Sequence, residues 1–147
     1  MYEVTNNDLE SMKDNFRKIG AIAAIVGGVT ILMGAYGAHG LKSLVDADAV
    51  ASFETGVRYQ MYHVFALLLL AFTIPLEAKT IRRIAMFFWL GIILFSGSIY
   101  LLVLKAYLPF DMTKFAYITP IGGLFFIIGW FYLGISLIKS INKKSVL

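Results

Sequence analysis

Residues 53–75 read FETGVRYQMYHVFALLLLAFTIP, and of the four apolar stretches in the chain this is the one whose crossing of a membrane needs an argument. Its strictly apolar part, residues 64–74, is too short on its own, because about 20 residues of helix are needed to cover ~30 Å of hydrocarbon. Counting back from Pro75 by about that length draws Arg58, Gln60 and His63 into the span. The helix is expected to start earlier still, near Ala47, so that the second span has an extended outer end. Asp46 or Asp48 would then accept from the free amides of its first turn.

Three other apolar stretches, at about 19–38, 84–104 and 119–138, complete a set of four with the span at about 56–75. Backbone groups in lipid must be satisfied within the segment, so each stretch is expected to be a helix. The expected fold is therefore all-α, an integral membrane four-helix bundle spanning residues 19–138. Composition agrees. Apolar residues make up 59% of the 147-residue chain and charged residues 15%, against about 25% charged in an ordinary soluble domain. There is no cysteine, which removes disulfides, thiolate metal sites and cysteine nucleophiles.

Lys and Arg fix the expected orientation. Nine of them (Lys13, Arg17, Lys18, Lys79, Arg82, Arg83, Lys139, Lys143 and Lys144) fall on one side of the four spans, and four (Lys42, Arg58, Lys105 and Lys114) on the other. The richer side is cytoplasmic by the positive-inside rule, so both termini are expected inside a bacterial inner membrane. Residues 139–147 read as a basic cytoplasmic tail. Residues 1–18 read as a short amphipathic helix on the inner surface, since Leu9, Met12, Phe16 and Ile19 recur at helical spacing between charges; the alternative is an unstructured polar tail. The first span shares a basic flank and small residues (Ala35, Gly37) with secretory leaders, but its length argues against cleavage.

Small residues mark helix contacts. Gly20, Ala24 and Gly28 form a four-residue ridge on the first span, followed by Gly34. Gly97 lies in the third span, and Gly122 and Gly123 follow a Thr119-Pro120 helix start in the fourth. Such ridges let backbones approach closely in lipid.

The polar run 53–63 puts Glu54, Arg58 and Tyr62 on one helical face, at four-residue spacing, and Tyr59, Gln60 and His63 on roughly the opposite one. A helix polar on both faces should be enclosed or lie in a wet vestibule. Glu54 and Arg58 are expected to pair. Depth counted from the span ends places His63, Ser96, Ser98 and Thr30 together in the outer half, with His63 turned inward toward Ser98, Ser96 or Thr30. The inner half is almost purely apolar, apart from Thr73 and Ser136. This asymmetry argues against a channel or proton relay, which need polar groups through the full thickness. His39, Glu54, Arg58, Tyr59, Gln60, His63, Ser96 and Ser98 thus form the candidate polar or lipid-binding cluster. No spacing in it is diagnostic of catalysis, a metal or a cofactor. Nucleic-acid binding is not indicated.

Four segments, GAYGAHGL (34–41), FETGVRYQMYH (53–63), FSGSIYLL (95–102) and ITPIGG (118–123), carry a resemblance. In that order they resemble the domain-of-unknown-function 423 family, which includes bacterial relatives of eukaryotic transmembrane protein 256. The resemblance implies a four-helix membrane protein and no particular activity. The N-terminal tail is longer than the resemblance leads one to expect. The leading functional expectation is a non-enzymatic structural or accessory subunit, with membrane lipid, a larger membrane complex or a homo-oligomer as partners. A binder of lipid or a small amphiphile at the polar cluster comes second, and a small transporter or pore subunit third.

Overall fold

The computed structural model describes residues 6–72, 74, 76–109 and 116–144, with side chains for residue 14 and for those of 16–142. Among these residues the regular structure is entirely helical. Helix α1 runs Asn6–His39, a short 3-10 turn Leu41–Ser43 follows, and α2 runs Ala47–Phe72. Helix α3 (Ala78–Gly91) continues through a π turn (Ile92–Ser96) into α4 (Gly97–Val103), and α5 runs Ile118–Lys144. Three of these rods are long and apolar enough to cross a membrane: Phe16–Ser43, Ala78–Val103 and Ile118–Asn142. Helix α2 is long enough at about 39 Å, but its polar run keeps it outside that set.

Asp46 caps α2 as expected, its carboxylate accepting from the Ala49 N–H at 2.8 Å. The N-terminal tail differs from expectation. From Asn6 onward it is one continuous helix with the first span, about 51 Å in all, rather than a separate surface element. Phe16 and Ile19 pack against the core; the side chains of Leu9 and Met12 lie outside the described set.

Contacts run antiparallel from rod to rod. Thr30 of α1 meets Gln60 of α2, and Gly37 meets Phe53. Ser96 meets Gly56, and Gly91 of α3 meets Phe126 of α5. The connections on either side of α2 therefore lie at opposite ends. The loop end is tied by the Tyr107 hydroxyl donating to the Leu44 carbonyl at 2.8 Å.

The buried stripe of α2 is Phe53, Gly56, Gln60, His63, Leu67 and Leu70, a three-four alternation like a coiled-coil seam. Its counterpart on α1 is Gly20, Ala23, Gly27, Thr30 and Gly37. This corrects the expected ridge: Gly20 and Gly34 face α2, but Ala24 and Gly28 are exposed, and a Cβ on Gly28 would meet nothing within 4 Å. Gly97 likewise has open space beside it, whereas Gly122 lies against the Leu94 and Phe95 backbone and Gly123 touches the Phe95 ring. The main apolar core gathers Leu67, Leu70, Ile84, Phe88 and Phe126 from α2, α3 and α5.

Candidate functional site: a polar ladder between helices

Polar side chains inside the helices are joined across them in a ladder. Nearest the loop end, the Ser98 hydroxyl donates to the Phe95 carbonyl at 3.0 Å, so at the 2.7 Å Ser98–Thr119 contact the Thr119 hydroxyl is the donor. One step deeper, the buried Ser96 donates to the Gly56 carbonyl at 2.8 Å, linking the π turn to α2. Beside it the Gln60 amide bridges two rods. Its Nε2 donates to Thr30 Oγ1 at 2.6 Å, and its Oε1 accepts from the Tyr100 hydroxyl at 3.1 Å. Thr30 in turn donates to the Val26 carbonyl at 2.6 Å.

His63 forms the deepest rung. It is buried, its ring stacked on Phe126 with centroids 3.5 Å apart. Nδ1 lies 2.7 Å from the Tyr59 carbonyl, and a carbonyl only accepts, so Nδ1 carries the proton. Nε2 is then free to accept, and the Trp130 indole N–H donates to it at 3.1 Å. One neutral tautomer satisfies both bonds. A second proton on Nε2 would set it against the indole donor.

The inward turn of His63 matches expectation; its partner does not. Ser98, Ser96 and Thr30 have other partners, and Trp130 takes their place. Depth explains the change. Trp130 stands twelve residues from either end of the apolar run Ile118–Asn142, and Thr30 sits near the middle of Phe16–Ser43. The lower rungs therefore reach mid-span, deeper than a count from residue 38 had put them, because that first run continues to Ser43. Trp130, Tyr100 and Thr119 are missing from the sequence-based cluster, as is Thr30, which the sequence placed at the same depth but not among its members. The signal for Trp130 was its mid-span indole, since a Trp N–H in apolar surroundings normally finds an acceptor.

Other expected members lie apart. Glu54 and Arg58 are both exposed, and no ion pair joins them. Both project from the surface of α2, and for exposed side chains the entropy of holding two long chains together cancels most of the Coulomb gain. His39 ends α1, exposed. Among the described residues no three His, Asp or Glu side chains converge on a point. Tyr59 is half exposed and borders a groove of about 580 Å³ between α2 and α5, floored by His63 and walled by Phe95, Phe126, Trp130 and Phe131.

Comparison with known proteins follows the same segments. A family model described as "Protein of unknown function (DUF423)" matches residues 33–123, from the last turns of α1 to Gly123 of α5. A UPF0382 membrane protein of Haemophilus influenzae is 39% identical over 120 residues, covering 81% of this chain and 92% of that protein. The UPF0382 inner membrane protein YgdD of Escherichia coli is 35% identical over 131 residues, covering 84% and 91%. A UPF0382 membrane protein of Staphylococcus aureus is 37% identical over 119 residues, covering 78% and 93%. No solved structure matches the chain.

Proposed function

Because the chain belongs to the DUF423 family of membrane proteins, we propose that it is a non-enzymatic, four-pass protein of the bacterial cytoplasmic membrane, structural in itself or accessory to a larger complex. The observation that carries this reading is the ladder. Its hydroxyl, amide and imidazole groups bond to one another or to backbone across α1, α2, the π turn, α4 and α5. Every buried polar side-chain atom among the described residues has a partner. Groups bonded in this way fix the register of helices that have no hydrophobic drive to associate in lipid.

Two further observations support four passes with both termini inside. Helix α2 lies antiparallel between α1 and α4, so it returns the chain to the side it started from. Arg17, Lys18, Lys79, Arg82, Arg83 and Lys139 are all exposed at the terminal end of the rods, the side that faces the cytoplasm by the positive-inside rule. The inner-membrane name of the Escherichia coli relative points to the same membrane.

The test is to extract the wild type and the variants Gln60→Leu and His63→Phe from membranes with their surrounding lipid and record thermal unfolding. Variants less stable than wild type, together with a wild type recovered as copies of itself or with a stoichiometric protein partner, are the expected result. Unfolding unchanged by either substitution would overturn the reading, because the polar groups would then be present for something other than helix register.

A further inference from the structure

The groove between α2 and α5 is built differently from the exposed surface of α1. That surface is aliphatic at Ile22, Ile25, Val29, Ile31 and Leu32. In the groove the lining turns aromatic, and its centre lies at mid-span beside Trp130. The volume, about 580 Å³, falls in the range of small-ligand sites, roughly 300–1,000 Å³.

We propose that this groove binds a flat ring compound dissolved in the bilayer, one that carries a carbonyl or similar hydrogen-bond acceptor. Three observations select that occupant. The lining runs from Gly123 to Phe131 on α5 and from Tyr59 to His63 on α2, with Phe95 added from the π turn, so its two helical tracks are about 12 and 6 Å long. That is too short a track for a partner's transmembrane helix, which would lie along ~30 Å. The walls are aromatic, with Tyr59 packed against Phe95 at 4.8 Å and Phe126 stacked on His63, and aromatic clusters extend best to a further ring in offset or edge geometry. Finally, Tyr59 brings a phenol to the groove one turn above His63, and its hydroxyl has no partner among the described residues. The methylenes of a phospholipid chain at this depth offer it no acceptor, whereas an acceptor on a ring would satisfy it. The Trp130 N–H is already bonded to His63, so the phenol is the donor left for the ligand. This ligand is additional to the structural role proposed above and does not depend on it.

The chain has two tryptophans, Trp89 and Trp130, and only Trp130 lines the groove. This provides the test. The Trp89→Phe variant in nanodiscs of saturated phosphatidylcholine is titrated with 2-methyl-1,4-naphthoquinone while Trp130 fluorescence is read. Saturable quenching is expected in this variant, with a linear response only in Trp130→Phe, where Trp89 reports. Gly123→Leu on the Trp89→Phe background should abolish saturation. A Cβ there meets the Phe95 ring only at ordinary contact distance, 3.7 Å, and the rest of the side chain fills the groove. Ile127→Phe, one turn further along α5, fills the groove in the same way without adding a second indole; circular dichroism confirms that both variants fold. Tyr59→Phe should weaken binding by about tenfold, the effect of one lost hydrogen bond. Linear quenching of equal slope in all variants would overturn the proposal. So would quenching by phosphatidylcholine brominated along its chains that the naphthoquinone does not relieve, since the groove would then hold an acyl chain.

Discussion

Replacing Trp130 by Phe keeps a ring in place and removes one donor, leaving Nε2 of the buried His63 with nothing to accept. An unsatisfied buried acceptor costs about 1–3 kcal/mol, while interhelical bonds measured in a bilayer average only about 0.6 kcal/mol because the alternative state also finds partners. The expected loss for Trp130→Phe is therefore about 1 kcal/mol, read as a lower unfolding midpoint in detergent. The double change with His63→Phe should be milder than the sum of the two single changes, since the second removes the group that the first orphaned. Arg58→Ala goes the other way. With Arg58 exposed and no ion pair to Glu54, its effect should stay within about 0.5 kcal/mol, and a drop of several-fold in folded yield would show that a pairing had been missed. The sequence carried the inward turn of His63, because an imidazole facing hydrocarbon is costly wherever the helix ends lie. It did not carry the partner. That depended on where the spans begin and end, and a shift of five residues in the first run moves the shared depth by about 7 Å.

At the scale of elements the decisive contact is α5 against the π turn. Gly97 N–H donates to the Ile92 carbonyl, five residues back, and this widened turn presents the Leu94 and Phe95 backbone directly to Gly122. A Cβ at 122 would overlap that backbone, and neither helix can yield by turning a side chain. Gly122→Ala should cost about 1–3 kcal/mol, the range for overpacking. Gly28→Ala and Gly134→Ala meet open space and should be neutral or stabilising by about 0.5–1 kcal/mol, because alanine loses less backbone freedom in a helix. Thermal unfolding of the three variants in one detergent separates these outcomes, and equal effects at 28 and 122 would contradict the packing. The same contrast shows what the sequence could reveal about elements. Helix class and approximate bounds followed from apolar length. The packed face of α1 did not, because a four-residue count picks Gly20, Ala24 and Gly28, while the seam with α2 alternates three and four and picks Gly20, Ala23, Gly27 and Thr30. With small residues on both stripes, composition alone does not choose between them. The π turn left no signal of its own, since Ser96-Gly97-Ser98 reads equally well as ordinary helix packing.

For the whole molecule the open question is whether α2 crosses. Its apolar half, with Val64, Leu67 and Leu70 buried, packs into the core, and its polar half is sheltered on one side only: Gln60 and His63 are buried while Glu54, Arg58 and Tyr62 are exposed. A helix lying on the membrane surface could not keep the antiparallel bonds from Gln60 to Thr30 and Tyr100 unless α1 and α4 lay on the surface too. Both of those belong to runs long and apolar enough to cross. Crossing is thus the arrangement we propose from the ladder, and it would set Glu54 and Arg58 near the outer interface, where a charge is tolerated. The absence of cysteine makes the prediction direct to check, since any introduced thiol is the only one. Ala51→Cys on α2 and Leu44→Cys in the turn before it should react with a membrane-impermeant maleimide added outside spheroplasts. Glu77→Cys and Ile141→Cys should react only after the membrane is opened. All four positions are exposed on the protein, so a silent site reports the bilayer and not burial. If Ala51→Cys and Glu77→Cys were labelled from the same side, α2 would not cross. The termini would then lie on opposite sides of the membrane, and three spans would replace four.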